Sequence, residues 1–145
     1  MPQNFTSAPE NYEIHSFVSE GPDIVVTPAE HKGRGVLHSH SFYEIVYVAE
    51  GFTLHQSCGR ITMLITGDFF FVKPGEVHSY INAYQTKLYN LLFVPAALGD
   101  SFSALSALPG LDEMFSPSGE SLDPTHRLLH VSIGERRNIE SALEK

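Results

Sequence analysis

The stretch Gly33-Arg34-Gly35-Val36-Leu37-His38-Ser39-His40-Ser41-Phe42-Tyr43-Glu44-Ile45-Val46-Tyr47-Val48-Ala49-Glu50-Gly51 decides how this chain is read. Its second half is rich in aromatic and β-branched residues and closes on Glu50-Gly51, the pattern of a strand that ends in a turn. Residues i and i+2 of a strand project to one face, so His38 and His40 present two imidazoles side by side, a natural pair of metal ligands. Glu44 has the same parity. Six residues of straight strand nevertheless span ~20 Å, whereas ligands of one ion each lie ~2 Å from it. If the three side chains converge, the chain must turn near Ser41-Phe42.

A second segment extends the set. Gly67-Asp68-Phe69-Phe70-Phe71-Val72-Lys73-Pro74-Gly75-Glu76-Val77-His78-Ser79-Tyr80-Ile81-Asn82 carries a buried apolar strand into a Pro-Gly turn and then presents His78. Three imidazoles and one carboxylate form a donor set acceptable to Zn, Ni, Fe, Mn or Cu, and ligand type alone does not choose among them. Tyr80 shares the parity of His78 and offers the same cavity an apolar ring and one hydroxyl, with core packing as its other reading. Phe42, at the inferred turn between ligands, walls the pocket. Phe69, Phe70 and Phe71 read as core. His55, after Phe52-Thr53-Leu54, reads as a solvent-facing strand residue, and Cys58 beside Gly59 as part of a hairpin turn with no redox role.

Outward from these segments, short β-rich runs at 44–49, 52–55, 61–65, 69–72, 79–81 and 87–94 are separated by turn residues, a spacing that predicts an all-β sandwich or barrel. An earlier run at 23–27 ends at Pro28. After Pro95, Phe102, Leu105 and Leu108 are spaced by three, as one face of a short helix requires, and Pro109-Gly110 stops it. A polar loop at 116–120 and an extended piece at 128–131 follow. Ser132 and Glu135 then stand in capping-box register for a helix from Ile133 that keeps Ile139, Ala142 and Leu143 on one face. That helix runs into Lys145 with no C-cap signal and reads as part of a longer chain. The organisation is an N-terminal arm (1–34), a barrel core (35–95) and a helical region (96–145). Its apolar faces Phe102/Leu105/Leu108 and Ile139/Ala142/Leu143 need cover, which predicts a homodimer. His126, Arg127 and His130 read as a solvated loop.

The whole composition narrows the function classes. With 145 residues, 42% of them hydrophobic, the chain suffices for one core. Nine basic against seventeen acidic residues give a net charge of -8, which argues against direct DNA or RNA binding by this chain. One cysteine, a polar start at Met1-Pro2-Gln3-Asn4 and no apolar run of membrane-spanning length predict a cytoplasmic protein with no membrane partner.

The two quoted segments resemble the paired motifs of the cupin superfamily, small double-stranded β-helix (jelly-roll) barrels whose mouth is lined by His-x-His, a following Glu and a later His. The spacing His38-x-His40-x3-Glu44-x6-Gly51, then Gly67, Pro74-Gly75-x2-His78-x3-Asn82, follows that pattern. Gly33 lies one residue nearer the histidines than the family's leading glycine, and Lys73 stands where proline is usual. Within the superfamily, residues 33–145 resemble the N-terminal effector-binding and dimerisation domain of AraC-type bacterial transcription regulators. The resemblance implies a mainly β fold with a short C-terminal helical segment, a divalent metal (Zn, Ni, Fe or Mn) at His38, His40, Glu44 and His78, and a small-molecule effector, carbohydrate by likeness to relatives. Phe42 and Tyr80 would face that effector. DNA would be met only through a C-terminal domain that this chain lacks. The alternative is a stand-alone metal-dependent cupin enzyme of isomerase or dioxygenase type.

Overall fold

Two long strands, β4 (Tyr43–Ser57) and β7 (His78–Phe93), pair antiparallel over almost their whole length and carry the architecture. The computed structural model describes residues 10–12, 24–115 and 127–145. Each long strand was expected as two separate ones. The chain stays in strand through Glu50-Gly51 instead, and it bends there, with register shifts at Val48/Glu50 and Glu50/Phe52. Gly51 at φ 81° and Gln85 at φ 44° face each other across this point. Bulges of this kind bend a strand and increase its twist.

The bend divides the sheet into two halves. The first joins β2 (Ile24–Gly33), the end of β7, the start of β4, β6 (Asp68–Val72) and β8 (Leu128–His130). The second joins β1 (Glu10–Tyr12), β3 (His38–His40), the start of β7, the end of β4 and β5 (Arg60–Ile65). Val46, Val48, Phe70, Val72 and Leu88 of the first half meet Leu64 and Tyr80 of the second in one buried cluster, so the halves close over a common core as a mainly β jelly roll. Among the described residues β2 pairs only with β7 and runs past Pro28, which sits opposite Tyr89. An edge strand tolerates proline because the missing N–H lies on its unpaired side.

The bend also inverts side-chain parity. Before it, Glu44, Val46 and Val48 are buried in the interior; after it, Thr53, His55 and Ser57 are, while Phe52 is 42% exposed. A one-residue slip moves a whole strand's side chains to the opposite face, which is why alternation read straight through Gly51 misplaces everything after it.

Short helices α1 (Pro95–Leu98), α2 (Asp100–Ser106) and α3 (Asp112–Phe115) cover the outside of the first half. Phe102 and Leu105 pack there with Tyr43, Phe71, Phe93, Met114 and Phe115. Phe102 and Leu105 of the face expected to pair with a second protomer are thus partly covered by the sheet and α3, while Leu108 is 50% exposed. The last helix, α4 (Ile133–Leu143), begins at the expected Ser132/Glu135 capping box. It lies against the sheet through Tyr47 Oη donating to Glu140 at 2.9 Å and Arg136 donating to the Thr66 carbonyl at 2.8 Å. Asp23, the 116–120 loop and His126 lie outside the described residues. No helix among the described residues is long and apolar enough to cross a membrane.

Candidate metal and effector site

The bend at Ser41-Phe42 turns the chain between β3 and β4, as convergence required. β3 pairs with β7 at His38 opposite His78, and the Pro74-Gly75 turn is tied to β3 by Gly75 N–H donating to the His40 carbonyl at 2.7 Å. These connections bring His40, Glu44 and His78 together, all three buried. His40 Nε2 lies 3.2 Å from Glu44 Oε2 and 3.2 Å from His78 Nε2, and His78 Nε2 lies 3.5 Å from Glu44 Oε2. Ligands held tetrahedrally at ~2.0–2.1 Å stand ~3.3–3.4 Å apart, so the three atoms fit the edges of one coordination shell. The chemistry agrees. His40 Nδ1–H must donate to the Phe42 carbonyl, 2.7 Å away, because a carbonyl only accepts; a neutral His40 then turns a bare Nε2 toward the carboxylate. Two acceptors face each other at hydrogen-bond distance, an arrangement a cation relieves.

His38 stands beside this group and not within it. Its ring lies 4.2 Å from that of His78 and 6.3 Å from that of His40, and its Nδ1–H donates to the Val36 carbonyl at 2.9 Å. Phe42 stacks on His40 at 4.3 Å. Tyr80 is 4% exposed, with its ring 4.5 Å from that of His31.

His31, His38, His40, Phe42, Glu44 and Tyr80 line a cavity of about 280 Å³ between the half-sheets, with Tyr12, Thr27, Asn90 and Leu92 completing much of its wall. Among the described residues, Tyr80 Oη and Asn90 Oδ1 are buried with no hydrogen-bond partner. Buried polar groups are nearly always paired, so two orphans in one cavity mark where a bound molecule belongs.

Two readings are corrected here. His55 is fully buried, not solvent-facing, and its Nε2 lies 3.0 Å from His78 Nδ1. Arg127 is 1% exposed, not part of a solvated loop, and pairs with Glu76 in the loop that leads to His78. His130, half exposed, pairs with Asp68 at 2.7 Å. His31, Tyr12 and Asn90 were not singled out from sequence. His31 and Asn90 sit at inward positions of β2 and β7, so strand parity alone could have found them.

Burial is the main cause that lowers the His55 pKa to about 3 and that of His78 well below the usual imidazole range; burial also lowers that of His31 and raises that of the Tyr80 phenol. In the folded protein His55 therefore stays neutral where the unfolded chain, with an ordinary imidazole pKa of about 6.5, takes up a proton. The resulting stability is complete above pH 6.5 and is lost as pH falls toward 3. At pH 5, His55 alone is expected to remove about 2 kcal/mol relative to neutral pH, at 1.36 kcal/mol per unit below 6.5. Urea unfolding of chelator-treated protein at pH 7 and pH 5 checks this; equal midpoints would contradict it.

Residues 21–145 match a family model described as AraC-like ligand binding domain. The "HTH-type transcriptional activator RhaR" of Klebsiella pneumoniae subsp. pneumoniae is 30% identical over 107 residues, covering 74% of this chain and 36% of that protein. Its Escherichia coli O139:H28 counterpart is 29% identical over the same coverage. The chain thus spans about a third of the length of these relatives. Among solved structures, an RmlC-like cupin from Shewanella frigidimarina is 27% identical with a TM-score of 0.47, covering 50% of this chain and 68% of that one. A cupin-2 domain protein from the same organism is 20% identical with a TM-score of 0.46, covering 50% and 72%.

Proposed function

The chain belongs to the AraC-like ligand binding domain family, and from that premise we propose that it is the small-molecule-sensing part of a bacterial transcription regulator, with its effector held between the two half-sheets. The observation that carries this reading is the pair of orphaned atoms, Tyr80 Oη and Asn90 Oδ1, in the wall of the cavity. A molecule bearing hydroxyls supplies a donor to Asn90 and either partner to Tyr80.

Charge narrows the effector further. Among the described residues no Lys or Arg lines the cavity, and Glu44 is its one acidic residue. An anion has no protein cation to meet there, whereas a neutral polyol finds polar partners together with the apolar surfaces of Phe42 and Leu92. A volume of about 280 Å³ suits a molecule of monosaccharide size. We assign His40, Glu44 and His78 as ligands of a divalent cation (Zn, Ni, Fe or Mn), with His38 beside them; bound there, it would anchor an oxygen of the effector as a Lewis acid.

Signal output has a physical starting point in β1. This strand pairs in parallel with β3, Tyr12 opposite His40, and Tyr12 lines the cavity. An effector touching both Tyr12 and the interior biases the docking of the N-terminal segment by its differential affinity for the docked and undocked states. The reading includes a homodimer and DNA contact through a separate domain of the whole protein, in line with the helix-turn-helix naming of the relatives.

The convergent His-Glu-His donors also favour a second reading, a metal-dependent isomerase or dioxygenase. One experiment separates the two: chelator-stripped protein reloaded with Zn²⁺, Ni²⁺ or Mn²⁺ is titrated calorimetrically with a panel of neutral sugars and polyols, and each mixture is assayed for turnover. The sensing reading expects 1:1 binding without product, weakened at least tenfold by Asn90→Leu, since a site built to pair a hydroxyl discriminates strongly once a partner is lost. Product formation that disappears in His78→Ala would establish the enzyme.

A further inference from the structure

The effector reading uses His78 through Nε2 and leaves its other ring nitrogen facing His55, which that reading does not employ. His55 is held rigidly. Its ring stands edge-on to Phe70 at 4.6 Å and lies 5.2 Å from Tyr80, and with no exposed surface no water can take its place.

With neutral rings, proton placement along this chain has two solutions. A neutral His40 that donates Nδ1–H to the Phe42 carbonyl has a bare Nε2. With a cation at the centre, His78 Nε2 must be bare too. Its proton then sits on Nδ1 and is donated to His55 Nε2 across 3.0 Å, and the proton of His55 sits on Nδ1. Without a cation, His78 Nε2–H donates toward His40 Nε2 at 3.2 Å, His78 Nδ1 accepts from His55 Nε2–H, and His55 Nδ1 is bare. In both solutions one ring nitrogen, His55 Nδ1, lacks a partner among the described residues. The two rings change tautomer together, and no proton enters or leaves.

We propose that His55 is a positioning residue: by accepting the Nδ1–H of His78 it fixes the tautomer that presents the His78 Nε2 lone pair to a divalent cation. The inference rests on the metal assignment above. Residues that orient a ligand in this way typically change metal affinity 10–100-fold when removed.

The test uses Zn²⁺ as the probe on the whole chain, stripped with chelator and followed by calorimetry, thermal unfolding and ¹⁵N chemical shifts of the histidine rings. His55→Phe keeps a planar ring but cannot accept. It is expected to weaken Zn²⁺ binding about 10–100-fold while leaving the metal-free unfolding midpoint nearly unchanged, because one orphaned nitrogen is exchanged for another. His55→Gln offers a carbonyl that can accept and is expected to recover part of the affinity. In wild type, Zn²⁺ should move the His78 proton from Nε2 to Nδ1. Zn²⁺ binding by His55→Phe as tight as by wild type overturns this inference alone. A loss of affinity matched by a large fall in metal-free stability also overturns it, in favour of a purely packing role. Failure of wild type to take up Zn²⁺ overturns the metal assignment and this inference together.

Discussion

Replacing Arg127 by methionine is expected to destabilise the protein by about 3–5 kcal/mol, the usual cost of removing one partner of a buried ion pair. The reason lies in what remains behind. Both carboxylate oxygens of Glu76 lie 2.5 Å from Arg127 Nη1, and the Glu76 side chain is 15% exposed, so the carboxylate left behind is largely cut off from water. The Lys73 N–H donates to it at 3.1 Å and cannot replace a guanidinium. The loss should extend to the site, because Glu76 lies between Gly75, which is bonded to the His40 carbonyl, and His78. Urea unfolding measures the effect. Adding Glu76→Gln to Arg127→Met removes the stranded charge and should recover part of the loss, so the two substitutions are expected to be strongly non-additive. A single-mutant cost below about 1 kcal/mol would mean that the pair is worth no more than a surface salt bridge.

Arg127 also shows where sequence reading stops. A guanidinium flanked by His126 and Leu128 has the local signature of an exposed loop, and nothing nearby in sequence announces Glu76, 51 residues away. The paired segments around His38 and His78 were legible for the opposite reason. Strand parity, a turn at Ser41-Phe42 and a Pro-Gly turn at 74–75 are local features, and with the motif resemblance they single out His38, His40, Glu44 and His78, of which the fold brings His40, Glu44 and His78 together. His55 was turned outward because a short strand 52–55 gives no local sign of which of its faces is the interior, and helical spacing at Phe102 and Leu105 shows that a face is apolar without showing what covers it. The bulge at Gly51 sets the parity of β4 beyond it, and so turns His55 toward His78.

Gly51 is accordingly the position where the smallest substitution should do the most damage. Gly51→Ala is expected to cost several kcal/mol, at or above the upper end for single changes of about 4–5 kcal/mol, for two reasons that act together. At φ 81° an L-residue pays strain on the order of 1–2 kcal/mol. The added Cβ would also lie 2.4 Å from the Gln85 carbonyl oxygen and 2.6 Å from that of Tyr84. Those atoms belong to the backbone of β7, so relief requires β4 and β7 to separate where the sheet bends, and a flexible side chain cannot simply swing away. Gly59 separates the two contributions. At φ 73° its Cβ would meet nothing within 4 Å, so Gly59→Ala carries the conformational strain alone and is expected to cost about 1–2 kcal/mol. Unfolding midpoints for the pair, measured with the same denaturant, test the argument. If Gly51→Ala were no worse than Gly59→Ala, the close approach of β4 and β7 would not be what sets the bend, and the inverted parity that turns His55 toward His78 would need another cause.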